Sequence, residues 1–246
     1  MNCQPHWISL VDIWLFNNQT CLLCDEALKG VLPICRACEP ELPWLGDCCL
    51  RCALPLPAAR LTCGDCLKQP PAFEQVHAAW AYGFPVDSLI VGFKHNSKWP
   101  YGRLLAELLG QCLLDSFNCG QERPDFLLPV PLSVQRLRQR GYNQAAMLSH
   151  WLSARLNIPC REHWLLRTQD TPTQQALNAK ARKRNLLQAF GLSPGAQVQG
   201  LHLALIDDVL TTGATAESLA RLLLKAGARR VDVYCLARTP KPDGAP

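Results

Sequence analysis

The stretch from residue 203 to 215, LALIDDVLTTGAT, limits the folds open to this chain more than any other part of it. The unbroken apolar run Leu203-Ala204-Leu205-Ile206 suits a strand buried on both faces, which occurs in parallel sheets covered by helices. Asp207 and Asp208 follow at its carboxyl end, and then comes the small, hydroxyl-bearing run Thr211-Thr212-Gly213-Ala214-Thr215. Beyond it Leu219, Leu222, Leu223 and Ala226 recur at helical spacing, with Gly227 placed to end the helix. Strand, carboxylate pair, small-residue turn and helix, in that order, predict an α/β fold with its chemistry at the carboxyl edge of a parallel sheet.

A helix N-terminus offers unpaired N–H groups and the positive end of the helix dipole, and a glycine there lets the backbone approach an anion closely. Thr211, Thr212 and Thr215 add hydroxyl donors, so the turn reads as a phosphate cradle. The two carboxylates would repel that phosphate, but they can accept hydrogen bonds from sugar hydroxyls or orient magnesium-bound water. A ribose 5-phosphate suits both halves. The thirteen residues resemble the phosphoribosyl pyrophosphate loop of type I phosphoribosyltransferases. That resemblance implies that Asp207 and Asp208 are the catalytic pair on the ribose hydroxyls, that Thr211 to Thr215 hold the 5-phosphate, and that Mg2+ accompanies the ligand. Competing phosphate motifs are absent, since the chain has no GxxxxGK[ST] and no GxGxxG after a strand.

Eight of the fourteen cysteines form four CxxC pairs, 21/24, 35/38, 49/52 and 63/66, with ten residues in every gap. Each CxxC bends the chain so that two thiolates share one ion, and two such turns complete a closed tetrahedral site with no open position for catalysis. Two structural Zn2+ sites are therefore expected. Equal gaps do not decide which pairs combine. A longer repeat, in which CLLC at 21 is echoed by CLRC at 49, favours tandem rings of Cys21, Cys24, Cys35 and Cys38, then Cys49, Cys52, Cys63 and Cys66, over interleaved ones. A redox role for the pairs would need a strand-helix setting that this region lacks.

At 246 residues the chain can hold one ordinary core plus an appendage. Its 48% hydrophobic and 18% charged content indicates a globular protein, and a net charge of +5 suits an anionic ligand without proving a nucleic-acid partner. The opening twenty residues lack a basic n-region and carry Asp12 within their apolar stretch, so they read as a short helical segment, not a secretory signal. With no run long enough to span a membrane, a cytoplasmic protein is expected. The expected domains are a helical segment over 1–20, a double zinc ribbon over 21–68, and, after Pro70-Pro71, an α/β domain over 69–246.

In that last domain Val76 to Tyr82 and Phe126 to Pro131 read as strands, and Gly102 to Leu114 and Asn143 to Leu156 as helices. Lys94 can reach a phosphate, although a solvated turn lysine is the plainer reading. After Pro131 the sequence LSVQRLRQRGYNQ carries Arg136, Arg138 and Arg140 at alternate positions. It reads as a loop, with Arg138 and Arg140 the candidates for a leaving pyrophosphate because arginine presents a bidentate fork. The polar stretch 168–185, with Lys180, Arg182 and Arg184, reads as a flexible loop that could close over a diphosphate or track a single-stranded nucleic-acid backbone. No aromatic residue interleaves that cluster, so it lacks a base-stacking half.

Four CxxC pairs, then PVPLSVQRLRQRGYNQA, TPTQQALNAKARKRN and LALIDDVLTTGATAES, together resemble the ComF family, also called GntX-like proteins, over nearly the whole chain. The resemblance implies a double zinc ribbon joined to a type I phosphoribosyltransferase fold. It also implies a role in DNA uptake and the use of DNA as nutrient, with other competence proteins as partners. Nothing in the chain resembles a nucleobase-reading hood. Three readings stay open: a transferase acting on phosphoribosyl pyrophosphate, a non-catalytic adaptor that handles single-stranded DNA, and a nucleobase salvage enzyme, for which a zinc module has no purpose.

Overall fold

The computed structural model describes residues 19–28, 30, 32–58, 61–168 and 189–241. The stretch 1–18 and the expected flexible loop with Lys180, Arg182 and Arg184 lie outside the described residues. The chain divides into two compact units, Met1–Leu42 and Pro43–Pro246.

In the first unit, β1 (Gln19–Thr20) pairs antiparallel with β2 (Ala27–Leu28), and Cys21 and Cys24, in the turn between them, form a ring with Cys35 and Cys38. The second unit opens with the ring of Cys49, Cys52, Cys63 and Cys66, which includes the short helix α1 (Gly64–Lys68). The sequence repeat is repeated in three dimensions. Cys21 N–H donates to the Glu26 carbonyl at 2.8 Å and Cys49 N–H to that of Leu54 at 2.8 Å. Leu22 N–H donates to Pro33 at 3.0 Å and Leu50 N–H to Leu61 at 3.0 Å. Asp25 and Ala53, equivalent in the repeat, both take a left-handed backbone, with φ of 61° and 53°.

The rest of the second unit is built on four parallel strands, β3 (Val76–Ala81), β4 (Phe126–Pro129), β7 (His202–Leu210) and β8 (Arg230–Arg238), in the order β3-β8-β7-β4. A separate antiparallel pair joins β5 (Leu165–Arg167) to β6 (Phe190–Leu192). The helices are α2 (Val86–His95), α3 (Trp99–Asn118), α4 (Val134–Arg140), α5 (Gln144–Leu156) and α6 (Ala214–Lys225). Period-two alternation divides β7 between two cores. Leu203 and Leu205 pack with Val231, Val233 and Cys235 of β8 against Leu219 and Leu223 of α6. Ala204 and Ile206 turn to the other face, where α5 packs on β4 and β7 and α3 packs on α5 and β3. Burial on both faces is what the apolar run of β7 requires.

Three features differ from the expectations or add to them. First, β7 runs on to Leu210, so Asp207 and Asp208 lie within it. Backbone pairing with Cys235, Ala237 and Arg238 of β8 holds those last residues extended. Second, β8 itself, a nine-residue strand, is not among the elements expected from the sequence. Third, residues 134–140 form the helix α4 in place of a loop. Ser133 caps it by accepting from Arg136 N–H at 3.2 Å, and Gly141 closes it at φ 79°.

Candidate functional site

The two cysteine rings pair in tandem. In each ring the four Sγ atoms lie within 4.8 Å of one another, and the Cys24–Cys35 and Cys52–Cys63 Sγ separations are both 3.7 Å. Four thiolates set tetrahedrally at about 2.3 Å around one Zn2+ stand about 3.8 Å apart, whereas disulfide sulfurs lie at about 2.05 Å. The rings therefore fit zinc. Backbone N–H groups support the thiolates, with Cys35 N–H donating to Cys21 Sγ at 3.4 Å and Cys63 N–H to Cys49 Sγ at 3.3 Å. All four positions of each ring are taken by protein, so these sites serve structure.

The acid pair sits near the carboxyl end of β7. Asp207 Oδ1 accepts from Asp208 N–H at 2.9 Å, and Asp208 Oδ1 accepts from Val209 N–H at 2.7 Å. Burial, and secondly the Asp208 carboxylate beside it, push the Asp207 carboxyl up to about 7, although Asp208 N–H and the Lys94 charge act the other way. Lys94, from the last turn of α2, places its ammonium 3.0 Å from Asp208 Oδ1, with the two side chains 19% and 13% exposed. A residue more than a hundred positions away in sequence thus supplies the pair's counter-charge, and the solvated-turn reading of Lys94 does not hold.

From Leu210 the chain passes through Thr211 and Thr212 to Gly213, which caps α6 at φ 76° and accepts from Glu217 N–H at 2.8 Å. No side chain caps this helix, and Thr212 Oγ1 lies 3.4 Å from Ala214 N–H. Ala214 N–H is thus taken by Thr212 Oγ1, and the helix's next N–H groups, which no side chain caps, are the donors an anion would use.

Of the two candidate arginines, only Arg140 is joined to this array. Arg140 Nη1 donates to Gln144 Oε1 at 3.0 Å, and Gln144 Nε2 donates to the Lys94 carbonyl at 3.4 Å. Arg138 is exposed on α4. The helix explains the split, because alternate positions turn by about 200° around a helix, whereas an extended loop would send them the same way. Two participants carry no role in the sequence reading. Gln144 is 1% exposed, and the Tyr142 hydroxyl donates to the Phe93 carbonyl, so the RGYNQ segment is clamped to the end of α2. The signal lay in that motif, where a glutamine opens an apolar helix.

A double zinc ribbon domain matches residues 12–67. DNA utilization protein YhgH of Escherichia coli K12 is 37% identical over 224 residues, covering 89% of this chain and 96% of that protein. Competence protein F of Haemophilus influenzae is 34% identical over 229 residues, covering 92% and 93%. Among solved structures, adenine phosphoribosyltransferase from Leishmania tarentolae is similar over 60% of this chain and 74% of that one, at 15% identity and a TM-score of 0.38. Identity of this order along nearly the whole length of such relatives means that the chain belongs to the ComF family, that of competence protein F and DNA utilization protein YhgH.

Proposed function

We propose that this protein binds phosphoribosyl pyrophosphate, or a related phosphoribosyl ligand, with Mg2+ at the carboxyl edge of its sheet, in the service of DNA uptake and utilisation. The observation that carries the reading is Asp207 and Asp208 set on β7 directly before the Thr211–Thr215 turn at the start of α6, with Lys94 3.0 Å from Asp208. The carboxylates accept hydrogen bonds from the ribose hydroxyls, and the turn's N–H and hydroxyl groups hold the 5-phosphate. Lys94, a compact charge on a flexible stem, can turn from Asp208 to a diphosphate oxygen, and Arg140 offers a fork from the same side. Magnesium, when bound, supplies charge neutralisation for the diphosphate, and the two aspartates are the side chains that would orient its waters. If pyrophosphate departs, positive charge develops on the ribose and the carboxylate pair favours that state over the ground state. The DNA role is carried over from the names of the relatives.

Titration calorimetry with magnesium and phosphoribosyl pyrophosphate tests this. The parent is expected to bind. The Asp207→Asn/Asp208→Asn double variant is expected to fold but to lose about 1.5–3 kcal/mol for each charge-assisted hydrogen bond removed. Equal binding by both, or none by the parent, would sink the assignment. Pyrophosphate release in the presence of nucleobases and DNA ends then separates a transferase from a binder.

A non-catalytic adaptor for single-stranded DNA is the second reading, favoured by one feature of the surface. Trp99, 53% exposed, stands edge-on to Tyr142 at 6.3 Å between ring centres, two residues from Arg140. Exposed aromatic surface beside arginine is what a stacking site needs.

A further inference from the structure

Arg238 ends β8 with its side chain 8% exposed and without a carboxylate partner among the described residues. Buried arginines are ordinarily matched by an acid. This one spends its donors on main-chain carbonyls instead. Nε donates to the Cys52 carbonyl at 2.8 Å, while Nη1 reaches the carbonyls of Leu210 at 3.1 Å, of Thr211, and of Thr239 at 2.7 Å. Cys52 is a member of the second cysteine ring. Leu210 and Thr211 are the last residue of β7 and the first of the turn that leads to Gly213.

Both ends of this link depend on their surroundings. Closure of the ring fixes the Cys52 carbonyl, because the next residue, Ala53, is held left-handed and donates its N–H to Cys49 at 3.0 Å. The 211–213 turn lies between β7 and α6, and Gly213 is tied to α6 through its carbonyl, which accepts from Glu217 N–H, while the Thr211 carbonyl is held by Arg238. A cleft of about 530 Å³ separates the two, with Cys52 and Cys66 in one wall, Thr212 and Gly213 in the other, and Arg238 in its lining. We propose that Arg238 is a positioning residue that couples the second cysteine ring to the phosphate turn, so that metal occupancy of this ring sets how tightly the turn holds its ligand. The inference rests on the phosphoribosyl reading of that turn. It singles out one ring of two, because the first belongs to the other compact unit.

Coupling between two sites is reciprocal, so the ligand must also hold the metal. The experiment follows zinc release from the full-length protein to a chromogenic chelator, with and without magnesium and phosphoribosyl pyrophosphate, and with magnesium pyrophosphate as the control for metal capture by the ligand. Release of one zinc of the two is expected to slow about fivefold or more, at the lower end of couplings between two sites. In Arg238→Met both zinc ions remain, but the slowing disappears and ligand affinity falls by a similar factor. Arg238→Lys keeps the charge without the fork and is expected to behave like Arg238→Met. Equal slowing of both zinc ions, slowing of neither, or full affinity in Arg238→Lys overturns the proposal. Hydrogen exchange needs no ligand. Without one, the amides of residues 211–217 are expected to exchange faster in zinc-loaded Arg238→Met than in the parent, and unchanged exchange there also overturns it. A parent that binds no ligand defeats the phosphoribosyl reading, and hydrogen exchange then still decides the coupling.

Discussion

Asp207→Asn should make the protein more stable while disabling its proposed site. The Asp207 carboxyl is moved from 3.8 to about 7, chiefly by burial and then by Asp208. The native state therefore holds this proton more tightly than the unfolded chain does. Between about pH 4 and 7 the folded protein binds more protons, so stability falls as pH rises through that window and the loss is complete above it. A displacement of this size corresponds to about 4 kcal/mol, and solvent reaching the half-buried carboxylate reduces it to about 2 kcal/mol. Asparagine keeps an oxygen for the Asp208 N–H, which now lies at 2.9 Å, and removes the charge. At pH 8 the variant should unfold about 4–8 °C higher than the parent. The gain should shrink steadily towards pH 5. Thermal unfolding of both proteins from pH 5 to 8, read as the difference between them, cancels the titration of groups they share. Parallel curves, or a variant less stable than the parent at pH 8, would refute the assignment of the shift to Asp207. Magnesium and phosphoribosyl pyrophosphate should stabilise the parent more than the variant.

Elemental analysis of protein prepared without chelator should give two zinc ions per chain, and a value of one or zero would mean that one or both cysteine rings serve another purpose. A labelled single-stranded oligonucleotide should bind at low ionic strength, lose affinity steeply as salt rises, and bind less tightly to Trp99→Ala. Absence of binding at low salt would remove the basis of the adaptor reading.

Periodicity and local chemistry made much of the fold readable. The β7 run, the α6 spacing and the fourteen-residue cysteine period each carry their structure in neighbouring sequence, and the structure places them accordingly. What the sequence concealed is long-range. Nothing near Asp208 indicates that Lys94 faces it, because that ion pair exists only once β7 and α2 meet at one edge. Likewise, His202 of β7 and Asp232 of β8 carry no role in the sequence reading, yet they are buried together with Nε2 2.8 Å from Oδ2. The arginine stretch 136–140 was misleading for a different reason. Its alternation suggests an extended loop, while its cap at Ser133 and stop at Gly141 specify a helical turn, and the caps prevailed.

The cysteine repeat carries a further argument, because its two copies are alike in backbone and unlike in surroundings. At the left-handed position the first copy has Asp25, exposed and of a type that tolerates this conformation. The second has Ala53, for which a left-handed backbone costs about 1–2 kcal/mol. A residue that merely closed a ring would gain nothing from alanine there. Ala53, however, is 1% exposed and packs in the same core as Leu203, Leu205 and Val233. Its neighbours bind the same way, with the Arg51 carbonyl accepting from Val76 N–H at 2.9 Å and the Cys52 carbonyl accepting from Arg238. The strain at Ala53 is thus offset by burial of its methyl against the sheet. Of the two copies, the second is shaped as a support for the edge that carries the acid pair and the proposed phosphate turn.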